Sequence, residues 1–131
     1  MLERARGYCE YCLMPQLTDS CSHHADHVIS LKHGGKNKLE NLALACVDCN
    51  QFKGPDIAAV DPLTGELTFL FNPRQQIWGE HFQLVGAQIM GLTPAGRATV
   101  KLLKLNEKDR VQSRQELIAD GLYPPVWRRE K

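Results

Sequence analysis

Apolar residues come in short bursts along this chain, and the period of each burst predicts an element. In Ala25-Asp26-His27-Val28-Ile29-Ser30-Leu31 the β-branched residues and the alternation predict a strand with His27, Ile29 and Leu31 on one face. His33-Gly34-Gly35-Lys36-Asn37-Lys38 is loop by composition, and Glu40-Asn41-Leu42-Ala43-Leu44-Ala45 returns the chain. A short helix is expected from Val47 to about Lys53. Gly54-Pro55 ends it, because glycine tolerates a left-handed turn and proline cannot continue the hydrogen-bond ladder.

The second half reads as hairpins followed by helices. Asp61-Pro62-Leu63-Thr64-Gly65 has turn chemistry and Leu67-Thr68-Phe69-Leu70-Phe71 is strand-like up to Asn72-Pro73. Phe82 to Met90, interrupted by Gly86, predicts a second hairpin. Thr93-Pro94 starts a helix, a capping hydroxyl before a proline at the first helical position, with Val100, Leu102 and Leu103 as its apolar stripe. A last helix is expected from about Glu107 to Asp120, closed by Gly121 and followed by Tyr123-Pro124-Pro125.

Composition narrows the class. With 131 residues, 43% hydrophobic and 24% charged, the chain suffices for one compact unit and not for two full domains. Cys, His and Asn crowd the first 55 or so residues, so the expected organisation is a core over 1–55 and an extension over 56–131 packed on it. No run approaches the roughly 18 apolar residues of a membrane span, and Met1-Leu2-Glu3-Arg4 does not open a signal-type segment, so a soluble, cytoplasmic protein is expected. Net charge is +1, far from a strongly basic footprint. Cationic positions gather at Arg97, Lys101, Lys104, Lys108, Arg110 and Arg114, which read as a solvated helix face or as phosphate contacts.

Four of the five cysteines form two Cys-x-x-Cys pairs, Cys9/Cys12 and Cys46/Cys49. Each pair can close half of a tetrahedral zinc site, because the turn between the two residues aims both sulfurs at one centre. Cys21 reads as a small buried or idle thiol. The 33 residues between the pairs exceed the roughly 15 to 20 of a zinc ribbon, and that insert holds Asp26-His27, with Asn50 directly after Cys49. A carboxylate and an amide oxygen suit a hard cation, and imidazole can take a proton near neutral pH.

Taken in order, Asp26-His27-Val28-Ile29, His33-Gly34-Gly35, Asn41-Leu42 and Cys46-Val47-Asp48-Cys49-Asn50-Gln51-Phe52-Lys53 resemble an HNH nuclease of the zinc-stapled ββα-metal kind, over about a third of the chain. The tail, with Leu70-Phe71-Asn72-Pro73-Arg74, Trp78, His81-Phe82 and Gly91 to Arg97, resembles the extension of bacterial, notably cyanobacterial and phage-type, members. The resemblance implies an α+β fold: a ββα-metal core with a structural zinc on Cys9, Cys12, Cys46 and Cys49, followed by a β-hairpin and C-terminal helices. It makes His27 the general base, Asn41 the residue that orients it, and Asp26 and Asn50 the ligands of a catalytic Mg²⁺, Mn²⁺ or similar ion. His24, of the same strand parity as Asp26, is a candidate further ligand. Lys53 is a candidate phosphate contact.

The expected activity is therefore endonucleolytic hydrolysis of nucleic acid, DNA above all, without a membrane partner and with a homodimer or a delivery partner left open. The alternative is a zinc-stapled module that binds nucleic acid without cutting it. A purely structural zinc knuckle leaves Asp26, His27, Asn41 and Asn50 unexplained.

Overall fold

A computed structural model describes residues 7–16 and 23–125; Cys21 lies outside them. The fold is α+β. Strand β1 (His24–His27) pairs antiparallel with β2 (Leu42–Ala45), His24 opposite Ala45 and His27 opposite Leu42. Helix α1 (Val47–Lys53) begins one residue after β2. Its N-cap is Cys46, whose extended backbone lets Sγ accept the Cys49 amide at 3.4 Å, the task a serine or aspartate oxygen performs elsewhere.

The first strand is shorter than its alternation predicts, and the buried parity is the opposite one. Asp26 and Val28 point inward, while Ile29 and Leu31 are 40% and 60% exposed. The cause lies twelve residues away. After the Val28 amide bonds to the Asn41 carbonyl, the Asn41 side chain takes both the amide and the carbonyl of Ile29, so the ladder ends and the chain turns. A single 3-10 turn at Leu31–His33 follows, closed by Gly34 at φ +86°.

In the extension, β3 (Ala58–Val60) and β4 (Leu67–Phe69) form a hairpin around the expected Asp61 turn, with Val60 opposite Leu67. A single-turn helix α2 (Trp78–His81), which the hydrophobic pattern did not announce, precedes a second hairpin, β5 (Phe82–Val85) with β6 (Gln88–Gly91). Helix α3 (Pro94–Leu102) is capped by Thr93, whose hydroxyl accepts the Gly96 amide at 3.0 Å, and α4 (Lys108–Ala119) is the last element among the described residues. The three hairpins remain separate two-stranded sheets.

One buried cluster joins both halves of the chain. Tyr11 and the four paired cysteines pack with Phe71, Trp78, Phe82, Leu103, Leu117 and Tyr123. Phe71 meets Phe82 edge-on at 5.1 Å between centroids, an arrangement that adds about 0.5–1.5 kcal/mol beyond burial alone. Directional bonds fix the extension to the first cysteine turn: Trp78 Nε1 donates to the Tyr11 carbonyl at 2.8 Å and the Tyr123 hydroxyl to the Cys12 carbonyl at 2.7 Å. Glu10 links the same turn to β2 and to Arg74. No described helix is long and apolar enough to cross a membrane.

The cationic positions of the tail do not form one solvated face. Arg97 chelates Asp61, Lys104 stands 4.9 Å over the Phe52 ring, and Arg110 and Arg114 are buried. Lys101 and Lys108 stay exposed. His23 is half-buried, and its Nε2 lies 2.8 Å from the Met14 carbonyl.

Candidate metal centre and active site

The fold brings both cysteine pairs to one point. The four Sγ atoms of Cys9, Cys12, Cys46 and Cys49 lie within 4.8 Å of one another, all buried. Four thiolates at about 2.3 Å from zinc stand about 3.8 Å apart in a tetrahedron; Cys12 and Cys46 are separated by 3.7 Å. The turns also supply what a thiolate needs, since Tyr11 and Cys12 amides point at Cys9 Sγ from 3.4 and 3.5 Å. Burial pushes the Cys9 and Cys49 thiols well above their ordinary pKa, so four thiolates in this place call for a cation among them. The donor set thus fits a structural metal such as zinc.

The second constellation is built where β1 meets the C-terminal turn of α1. Asp26, buried on β1, directs Oδ2 to a point 3.5 Å from Lys53 Nζ. That oxygen takes no hydrogen bond among the described residues, which leaves a buried anionic lone pair open. Burial raises the pKa of Asp26, and the charges of Lys53 and His27 oppose the rise. Lys53 is only 1% exposed and also donates to the His27 carbonyl at 3.2 Å, so it sits beneath the site and not on a phosphate-facing surface. Asn50 and Lys53 are three residues apart on α1 and therefore share a helix face, the one that Lys53 turns toward β1. Asp26 and Asn50 each carry an oxygen of the kind that could serve a hard divalent ion.

His27, half-buried, follows Asp26 with its side chain on the opposite side of the strand. Its Nε2 lies 3.1 Å from Asn37 Oδ1, a contact that the sequence did not announce because Asn37 looks like any polar loop residue. Asn41 acts on the backbone: its amide accepts from the Ile29 N–H at 2.9 Å and donates to the carbonyls of Ile29 and Lys36, each at 2.8 Å. It thereby closes the loop that carries Asn37. Gly35 makes this closure achievable, since a Cβ there would lie 1.7 Å from the Ile29 carbonyl oxygen and 2.9 Å from Asn41 Nδ2.

His24 shares the parity of Asp26 but stands exposed at the far end of β1, and His33 is exposed in the loop. A cleft of about 300 Å³ lies beside the site, bounded by Val28, Ile29, Lys53 and Phe69. The other residue missed from sequence is Arg110, whose guanidinium reaches the second cysteine pair. Its signal was present in the helical spacing of Arg110, Arg114 and Leu117, which places both arginines on the side of α4 that enters the core.

Against known proteins, residues 9–56 match the family described as HNH endonuclease. The matched stretch runs from the first cysteine to just beyond α1, and takes in both cysteine pairs, Asp26-His27, Asn41 and Asn50. Neither a curated protein nor a solved structure matches the chain.

Proposed function

From the HNH endonuclease domain that residues 9–56 form, a domain with a nuclease-type function in general, we propose that this protein is a metal-dependent endonuclease hydrolysing DNA phosphodiester bonds. The observation that carries the reading is the pairing, on consecutive residues of β1, of a buried carboxylate with an open lone pair and an imidazole held by a loop amide.

His27 is the general base. With the Asn37 oxygen accepting from Nε2–H, the ring proton stays on Nε2 and Nδ1 keeps the lone pair that removes a proton from water. The new oxygen–phosphorus bond forms as the bond to the 3′ oxygen breaks. A 5′ phosphate and, after protonation, a 3′ hydroxyl result. Asp26 and Asn50 would hold one Mg²⁺ or Mn²⁺, which when bound neutralises charge on the phosphate and the departing oxygen. Lys53 keeps Asp26 ionised against its burial, and Asn41 keeps the Asn37 loop shut.

One catalytic histidine per chain nicks one strand, so a double-strand cut requires a dimer or two visits. A net charge of +1 supplies little of the phosphate attraction on which non-specific affinity rests, which favours weak or salt-sensitive binding, or a partner that delivers the substrate.

The test is supercoiled plasmid incubated with the purified protein and Mg²⁺ or Mn²⁺. Nicked or linear forms are expected from the wild type and not from His27→Ala. Equal behaviour of the two proteins with every divalent ion overturns the assignment, and a mobility shift without cleavage identifies a binding module.

A further inference from the structure

The metal centre described above consists of four cysteines from the first 49 residues, yet its surroundings come from the far end of the chain. Arg110 on α4 is 7% exposed, and its Nη2 lies 3.0 Å from Cys49 Sγ and 3.6 Å from Cys46 Sγ. Its Nη1 donates to the Leu103 carbonyl, which pins the guanidinium in this direction. One helical turn on, Arg114 is fully buried; it donates to the carbonyls of Ala87 and Leu105, each at 2.6 Å, and its Nη1 has no hydrogen-bond partner among the described residues.

Two buried guanidiniums on one helix face are a large desolvation cost unless negative charge lies near them. Asp48 does not suffice, being 57% exposed and 3.8 Å from Arg110 Nε. A dication held by four thiolates carries a net charge of 2−, the opposite of the two arginines together.

We infer that α4 supplies the outer shell of the metal centre: Arg110 hydrogen-bonds the Cys46 and Cys49 thiolates and, with Arg114, neutralises the 2− charge of the metal-bound tetrathiolate, so that metal binding and docking of the C-terminal helix are one event. Arg110 is here a positioning residue, acting on the metal through sulfur. The coupling is reciprocal, as for any two linked equilibria: docked α4 raises metal affinity by the factor by which metal favours docking. The extension is accordingly part of the metal site.

Three readouts test this on the full chain. Competition of Zn²⁺-loaded protein with a chromophoric chelator should show zinc held about 10- to 100-fold more weakly by Arg110→Met, the range typical for loss of a group bonded to a metal ligand, with Arg110→Lys between the two because it restores charge without the fork. In Co²⁺-loaded protein the sulfur-to-cobalt charge-transfer band should move to longer wavelength in Arg110→Met, since losing the N–H···S bonds raises the sulfur lone pairs; a merely structural arginine would leave the band in place. If the variants do not fold, hydrogen exchange of the wild type with and without chelator gives the answer. The amides of Lys108–Ala119 should lose protection together with those around Cys46–Cys49. Zinc affinity and cobalt band unchanged in folded Arg110→Met, or α4 protection that survives loss of protection at Cys46–Cys49, overturns the inference.

Discussion

Lys53 Nζ lies 3.5 Å from Asp26 Oδ2, and the lysine is sealed from solvent on the floor of the site. The pair spans 27 residues and ties α1 to β1 by charge. Removing one member of such a pair leaves the other buried and uncompensated, which costs about 3–5 kcal/mol. Lys53→Met should therefore unfold at markedly lower denaturant than the wild type. It should also move the acid limb of the cleavage rate to higher pH. Burial already raises the pKa of Asp26, the lysine resists that rise, and without the lysine ionisation comes later. Because the folded pKa exceeds the unfolded one, the contribution of Asp26 to stability is present in acid and declines as pH rises through the folded value. An acid limb identical in the two proteins would exclude a role for Lys53 in the charge state of Asp26.

The loop between β1 and β2 depends on a single amide. Asn41 makes three hydrogen bonds to backbone groups of Ile29 and Lys36. Asn41→Ala leaves those groups without partners, an expected loss of about 1–3 kcal/mol. Gly35→Ala should mimic it by displacing the Ile29 carbonyl. Thermal melting of both variants should fall, and cleavage should fall further than melting accounts for, because the loop also carries Asn37. Full cleavage rates in destabilised variants would mean that the loop matters to the fold alone.

Asn37 touches His27 and nothing about its place in the sequence said so. Asn37→Ala should lower the cleavage rate about tenfold, well short of the 10²–10⁴ expected for His27→Ala, since it frees the tautomer without deleting the base. Steady-state measurement should place the loss in kcat and leave DNA affinity alone. A loss confined to affinity would reassign Asn37 to substrate contact.

What the sequence made legible was local chemistry. The paired cysteines, the Asp26-His27 dipeptide, the Asp61 and Gly86 turns and the Thr93-Pro94 helix start each depend on residues a few positions apart, and each stands where its spacing put it. The failures share a different cause. The length of β1 was set by Asn41, twelve residues on. The burial of Lys53, Arg110 and Arg114 was set by charge and carbonyl partners, some of them more than 25 residues away. A cationic side chain looks solvated until its counter-charge is known. The single turn α2 carries Trp78 into the core, yet four residues are too few to show a period.

Asp61 gives a sign-definite acid test that is independent of the active site. Its carboxylate, sealed from solvent, accepts two bonds from Arg97 at 2.9 and 2.8 Å, the Leu63 amide at 2.9 Å and the Thr64 hydroxyl at 3.1 Å. The Arg97 guanidinium, aided by those donors, holds the Asp61 carboxyl well below the ordinary carboxylate value of 3.8. A group whose folded pKa is depressed contributes stability that is fully present above its unfolded pKa and is lost as pH falls toward the folded one. The stability gap between the wild type and Asp61→Asn should thus be constant from neutral pH down to about 5, then narrow steadily below about 4. Urea titrations at a series of pH values measure that gap directly. A gap that stays constant to pH 2, or widens in acid, would mean that the ion pair between the β3–β4 turn and α3 does not govern this part of the fold.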